Sequence, residues 1–339
     1  MKSKLLNRNN IYLAIIIGVI ISGYLVYSEI IRTNFLNSWR TINFTLNTLL
    51  YISLAIIMMF FRDLGYVIRL RTLSEKQLNW IQGIKVILIW EFASAVSPGV
   101  VGGSAVAMFI LKKEKINLGK STAIVFITAF LDNLFYVIAI PVIVALIDMN
   151  QLLPDILHGY LTQFWIGYSV LLTLTLLLFF SLFIYPQLIR NLLLLLCKLP
   201  YLKKYKQSAK KTGEDIIVAA EHFKGKPILF WIKLMSSTIF SWSSRFLVVN
   251  FILMAFVTIN FTANILIFAK QLVMWLILLV SPTPGGSGVA EYLFNTFLGE
   301  FLPISTLIVL TSILWRLISY YPYLFIGAFV LPKWLNKMD

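Results

Sequence analysis

The chain has 339 residues, of which 59% are hydrophobic and 13% are charged, and its mean hydropathy is +0.86. Soluble domains average about 25% charged residues, so this composition excludes a soluble globular protein and indicates an integral membrane protein. The formal net charge of +15 does not indicate nucleic-acid binding. The basic residues fall between apolar runs, as expected for loops facing an anionic cytoplasmic leaflet.

Apolar runs long enough to span a bilayer predict an all-α polytopic membrane protein with about six full crossings. We interpret the first run as a retained helix, since it exceeds the apolar part of a signal peptide. In chain order the predicted crossings lie near 11–31, 43–61, 119–148, 160–185, 227–257 and 303–331.

Two further segments, 80–111 and 264–298, each contain an apolar helix, a Pro/Gly break and a shorter apolar stretch. These lengths favour re-entrant helical hairpins, although two full crossings per segment remain the alternative.

Positive charge predicts the topology of these elements. The N-terminus, the predicted loops 62–79 and 112–120, the segment 186–226 and the C-terminus are basic, whereas 149–159, 258–263 and 282–302 contain no Lys or Arg. We therefore predict a multi-pass protein of the cytoplasmic (inner) membrane with both termini in the cytoplasm. The first hairpin enters from the cytoplasm and the second from outside.

The two hairpins resemble each other in sequence. GGSAVAMFIL, from Gly102, matches GGSGVAEYLF, from Gly285, at a spacing of 183 residues, and KVILIW (85–90) matches KQLVMW (270–275). Because their orientations are opposite, we predict an inverted-topology repeat. Residues 1–150 form the first repeat, and 151–185 with 227–339 form the second. A basic cytoplasmic linker with an amphipathic helix, 186–226, joins the two.

The breaks predict half-helices that begin inside the membrane, where unpaired backbone N–H groups and partial positive charge favour an anion. Ser104 and Ser287 are expected to cap these half-helices. Ionisable residues at membrane depth are rare and tend to be functional. The candidate substrate-binding residues are Glu91, Pro98, Gly102, Gly103, Ser104, Asp132, Asn133, Arg245, Lys270, Pro284, Gly285, Gly286, Ser287, Gly288, Glu291 and Arg316.

The segment SPTPGGSGVAE (281–291) resembles the PTPGG-x-G-x-x-E signature of the lysylphosphatidylglycerol synthase transmembrane family. That family includes the flippase domain of bacterial multiple peptide resistance factors. SPGVVGG and the acid-bearing helix after it are similar to the family's first-half segment. The resemblance implies a polytopic lipid flippase. An acidic residue usual after the first-half glycine is replaced here by Gly103 and Ser104. We expect no soluble aminoacyltransferase domain like that of the fused enzymes, and therefore no synthesis of the lysyl-lipid by this chain alone.

We expect a non-ATP-driven flippase for an anionic or aminoacylated phospholipid or glycolipid, with the headgroup phosphate at the half-helix N-termini, Arg245 and Arg316. We expect no enzymatic activity, no cofactor and no metal site. The alternatives are a transporter of a small soluble anion and a non-catalytic membrane partner of a separate lipid synthase or glycosyltransferase. Expected partners are membrane lipids and a separate lipid-modifying enzyme, without nucleic acid, and a homodimer stays open.

Overall fold

The computed structural model describes residues 44–96, 99–279, 281, 283 and 285–336, together with residues 20, 24, 27 and 31. Most of the predicted crossing 11–31 lies outside the described residues, and so do Pro98 and Pro284.

Within that part of the chain the protein is all-helical, without a strand. Three short 3₁₀ helices (Asp155–Tyr160, Pro200–Tyr205 and Gly299–Phe301) and a π turn (Phe180–Ile184) connect some of the helices. The α-helices are α1 (Leu46–Leu73), α2 (Trp80–Val96), α3 (Gly99–Lys113), α4 (Leu118–Leu146), α5 (Met149–Leu152), α6 (Leu161–Phe179), α7 (Gln187–Leu196), α8 (Lys206–Phe223), α9 (Ile228–Met254), α10 (Phe261–Leu278), α11 (Val289–Leu298), α12 (Ser305–Ser319) and α13 (Tyr321–Asn336).

Six helical stretches in the described residues are long and apolar enough to cross a membrane. Five of them match predicted crossings, and the sixth is α10, which was predicted as the first arm of a hairpin. They are Leu46–Leu73, Gly119–Leu146, Leu161–Ile184, Ile228–Met254, Phe261–Leu278 and Ser305–Leu331.

Helix α1 is longer than predicted. The basic segment 62–79 was expected to be a cytoplasmic loop, but helix α1 continues to Leu73 and only 74–79 connects it to α2. Arg62 and Arg69 are consequently buried, at 1% and 4% exposure. The loop prediction was wrong because it treated arginines as markers of membrane ends, whereas these two lie on the helix face that packs into the protein.

Helices α1 and α9 pack in opposite directions. Near the start of α1, the Thr48 hydroxyl donates to the carbonyl of Ala255, just beyond the end of α9, at 3.0 Å. Further along α1, the carbonyl of Arg62 accepts from the Ser241 hydroxyl, also at 3.0 Å. Gly65 permits this approach, since a Cβ there would lie 2.2 Å from the Ser241 hydroxyl.

Helices α2 and α3 form a helical hairpin. The Gln82 side-chain amide donates to Glu114 at 3.0 Å across its open end. Near the break, a Cβ on Gly103 would lie 2.2 Å from the Ser94 hydroxyl, so glycine allows the two helices to touch. At 1.5 Å per residue each arm is about 22–25 Å long, shorter than the roughly 30 Å hydrocarbon core. That these hairpins are re-entrant, and that they form an inverted repeat, stay predictions.

The predicted crossing 303–331 is interrupted at Tyr320, between α12 and α13. Pro322, in the first turn of α13, has no N–H to donate to the preceding helical turn, so the hydrogen-bond ladder is broken there. The break turns Tyr320 and Tyr323 toward the interior of the protein, where both are buried.

The predicted cytoplasmic segments meet at one end of the molecule, around Glu75. The Glu75 carboxylate accepts from Lys120 Nζ at 2.6 Å and from Lys226, and His222 Nε2 lies 3.6 Å away. These residues belong to the α1–α2 loop, the start of α4, the end of α8 and the α8–α9 connection. The predicted linker 186–226 is mostly helical. This ion cluster connects its C-terminal end to the α1–α2 loop and to α4.

Two of the predicted external segments, 149–159 and 282–302, meet at a crevice elsewhere in the molecule. Lys270 Nζ is 2.6 Å from Glu300, and the crevice beside this pair is lined by residues of 150–156 and by Thr296.

We expect Glu75→Gln to lower the melting temperature in detergent by a few degrees at pH 7. Hydrogen bonds from Lys120 and Lys226 lower the pKa of Glu75 from 4.5 to about 2. A depressed carboxyl pKa stabilises the fold above pH 4.5, and this contribution is lost as the pH falls toward 2. The difference between wild type and variant should therefore shrink as melting is followed from pH 7 to pH 3. Glu214→Gln, which alters an exposed pair with Lys210, is the control and should change little.

Candidate substrate-binding cavity

A cavity of about 280 Å³ lies at the centre of the helices, and both helix breaks contribute to it. Ser94, Ala95 and Ser104 line it from the first hairpin, and Ser281, Thr283, Gly285 and Gly286 from the second. Seven of the predicted site residues are thus brought together: Glu91, Ser104, Asp132, Arg245, Gly285, Gly286 and Arg316.

Tyr320 connects the two breaks directly. Its hydroxyl donates to the carbonyl of Ala95, at the end of α2, at 3.2 Å. Its ring lies so close to Gly285 that a Cβ there would be 2.2 Å from Cε2 of the ring. The second break is therefore attached to the first through one phenol, itself placed by the interruption between α12 and α13.

Arg69 and Asp132 form a two-bond pair in the cavity wall. The guanidinium donates to both carboxylate oxygens, at 2.5 and 3.2 Å. Arg69 also donates to Thr238 at 3.1 Å, and Asp132 accepts from the Trp242 indole at 2.9 Å. The pair joins α1, α4 and α9, and its further hydrogen bonds offset the cost of burying two charges.

Arg62 holds a second cluster of charges. Its guanidinium donates to Asp63 at 3.0 Å and to Glu91, so one arginine serves two carboxylates. Asp63 also accepts from the Tyr323 hydroxyl at 2.7 Å. The rings of Tyr66 and Tyr323 lie 4.8 and 5.1 Å from the guanidinium carbon. Glu91, which lines the cavity, is therefore already paired with a cation.

Glu291 occupies the N-terminus of α11. Its carboxylate accepts the N–H of Gly288 at 2.6 Å and the Arg316 Nε–H at 2.7 Å. The N-cap is thus Gly288, with a φ of 88° that favours glycine, and not Ser287 as predicted. Ser104 does not cap α3 either, because that helix already begins at Gly99. The predicted anion position at the α11 N-terminus is filled by a carboxylate of the chain itself.

Arg245 differs from the other arginines of the cavity. Its guanidinium carbon lies 4.2 Å from the ring centre of Trp275 and 5.4 Å from that of Trp242. In the described part of the chain it forms no ion pair and no hydrogen bond. Arg316 also has a free hydrogen-bond donor. Its Nη1 donates to the carbonyl of Gly285 at 3.2 Å, whereas its buried Nη2 has no hydrogen-bond partner among the described residues.

The structure does not bring every predicted residue into the cavity. Lys270 is 2% exposed, but it pairs with Glu300 at the far crevice. Asn133 lies on α4 without lining the cavity, and Gly102 lies on α3.

Several residues that contribute to this site were not predicted, among them Trp242 and Trp275, which contact Arg245. Arg62, Tyr66 and Arg69 recur at helical spacing on one face of α1, and this periodicity was the available signal. Tyr320 and Tyr323 carry no comparable pattern, since their position depends on the break between α12 and α13.

These features define a multi-pass helical membrane protein whose interior holds a cavity lined by arginines, carboxylates and aromatic rings. The chain belongs to the family described as the lysylphosphatidylglycerol synthase TM region, whose model matches residues 11–327. A relative described as a UPF0104 membrane protein, from Archaeoglobus fulgidus, is 25% identical over 279 residues, which cover 78% of this chain and 80% of the relative.

We expect Gly285→Ala to destabilise the protein more than either of two matched glycine substitutions. Gly285 has a φ of +57°, where a side chain costs roughly 1–2 kcal/mol, and an added Cβ would also meet the Tyr320 ring. Gly225 has a φ of +80° but open space around it, so Gly225→Ala reports the backbone cost alone. Gly167, in α6, has neither constraint, and alanine there should be neutral or slightly stabilising.

Thermal unfolding in detergent, followed by tryptophan fluorescence, ranks the three variants by melting temperature. A melting temperature for Gly285→Ala equal to that of Gly225→Ala would show that Tyr320 does not press on the break.

Proposed function

We propose that this protein moves a phosphate-bearing lipid headgroup between leaflets through the central cavity, with the phosphate held by Arg245 and Arg316. The observation that carries the proposal is the pairing pattern of the four arginines. Arg62, Arg69 and Arg316 each have a carboxylate within ion-pair distance. Arg245 lies against two tryptophan faces and has no carboxylate within that distance among the described residues, and it interacts with Asp63 only at longer range.

A guanidinium that lies against aromatic faces keeps its N–H donors, which lie in the plane of the guanidinium, free for a ligand. A phosphate oxygen pair matches that planar fork, so Arg245 suits a bidentate phosphate contact. The unpartnered Nη2 of Arg316 provides a further donor in the same cavity wall. A bound phosphate would complete the pairing of both groups.

The volume fits a headgroup without its acyl chains. At about 280 Å³ the cavity is near the lower limit of ligand pockets, roughly 300–1,000 Å³. The acyl chains would stay in the bilayer while the headgroup crosses. Exposure to the two sides would alternate as the two halves rock around the site. The protein would act in the cytoplasmic membrane with both termini inside, without catalysing a chemical step. Its partners would be membrane lipids and, as a second protein, a lipid-modifying enzyme, and it would act as a monomer or a homodimer.

A small soluble anion is the competing substrate, because the same volume and the same donors would accept inorganic phosphate. Uptake of radiolabelled phosphate into proteoliposomes, without movement of labelled lipid, would favour that alternative.

We expect Arg245→Gln to reduce lipid translocation roughly 10- to 100-fold, since hydrogen bonds to charged groups contribute about 1.5–3 kcal/mol. Arg245→Lys should retain part of the activity, because it keeps the charge but loses the planar fork. The assay is dithionite quenching of headgroup-labelled phospholipids, across several lipid classes, in proteoliposomes.

Arg71→Gln is the matched control, since Arg71 also stacks on a tryptophan, Trp80, at 4.0 Å but lies outside the cavity. Equal activity of wild type and Arg245→Gln would remove Arg245 from the site. No translocation of any lipid class by folded wild type would remove the flippase proposal itself.

A further inference from the structure

The segment between α7 and α8 exposes apolar and basic side chains together. Tyr201 is 90% exposed, which is unusual for a tyrosine in a helical segment. Other large apolar side chains that are at least one-third exposed in this stretch are Leu195, Leu196, Leu199, Leu202 and Tyr205. The exposed lysines between and beside them are Lys198, Lys203, Lys204 and Lys206. We call residues 195–206 the basic–apolar surface.

This surface is connected to a membrane-spanning helix by the short helix α7. The span Leu161–Ile184 ends three residues before α7 begins, and α8 leads on to the Glu75 ion cluster. If α7 lies along the bilayer surface, the basic–apolar surface lies at the level where acyl chains give way to headgroups. Tyrosine and leucine side chains at that depth can enter the apolar layer while lysine ammonium groups reach the headgroups.

The charge of the segment has one sign. No Asp or Glu occurs from residue 186 to residue 213, so the lysines of this surface have no local acid to pair with. An anionic headgroup layer supplies the complementary charge. The surface is also held in place, because Cys197 is buried and α8 approaches α7 so closely at Gly213 that a Cβ there would lie 2.4 Å from Arg190.

We propose that the basic–apolar surface binds the anionic lipids of the adjacent leaflet, with Tyr201 and the leucines inserted below the headgroups and the lysines among the phosphates. This contact is separate from the central cavity and does not depend on what the cavity transports. It would anchor the helical linker between the two halves to the membrane surface.

The test uses the single cysteine of the chain. Cys197 is replaced by serine, Tyr201→Cys is introduced, and the new thiol is labelled with an environment-sensitive NBD fluorophore. Because Tyr201 is almost fully exposed, this substitution leaves the packing intact. The protein is reconstituted in vesicles of pure phosphatidylcholine and in vesicles that also contain phosphatidylglycerol, each with and without acyl-chain-brominated lipid as quencher.

We expect a blue-shifted emission and quenching by the brominated chains, both stronger when phosphatidylglycerol is present. The triple charge reversal Lys198→Glu, Lys203→Glu and Lys204→Glu should remove the dependence on phosphatidylglycerol. The matched reversal of Lys76, Lys112 and Lys115, exposed lysines of the other predicted cytoplasmic loops, should retain it.

Three outcomes would overturn the proposal. They are an NBD label that stays in water in both vesicle types, a signal that does not depend on phosphatidylglycerol, and an equal loss in both triple variants, which would reflect net charge alone. Size-exclusion profiles and melting temperatures establish that the variants are folded.

Discussion

Every arginine in the membrane interior needs a partner, and this requirement organises the centre of the protein. A buried guanidinium without compensation costs far more than any single packing contact contributes. Arg69 is compensated by Asp132 on α4 and Arg316 by Glu291 on α11, so each ion pair also joins two helices. Arg245 contacts aromatic faces in place of a directly paired carboxylate. The helix arrangement around the cavity thus follows from where the acids are.

The same pairing explains why several charged side chains can lie in the cavity wall. In water these groups would gain little from each other, whereas in a low-dielectric interior a nearby opposite charge matters much more. Removing one partner would leave the other uncompensated. A ligand that brings its own charge could therefore exchange places with a side chain at small net cost, which suits a transporter better than a rigid binding protein.

The sequence was sufficient for the all-helical membrane class, for the two breaks, and for much of the cavity, because breakers and charges inside apolar runs are conspicuous. It was misleading for α1, because a segment that contains several arginines resembles a loop in composition. The carboxylates that pair with Arg62 and Arg69 lie 29 and 63 residues away in the sequence. Neither ion pair can be predicted without knowledge of the tertiary packing. The serine caps were also wrong, because the turn at 285–288 depends on left-handed glycine backbone angles rather than on a side-chain oxygen.

The phenol of Tyr320 has a mechanical consequence. Its hydroxyl donates to the carbonyl of Ala95 at the end of α2, and its ring lies against the glycine turn at Gly285. The two loops therefore contact the same side chain. Neither loop can withdraw from the centre without breaking that hydrogen bond or carrying the other with it. A displacement of one loop would therefore be transmitted to the other through this side chain.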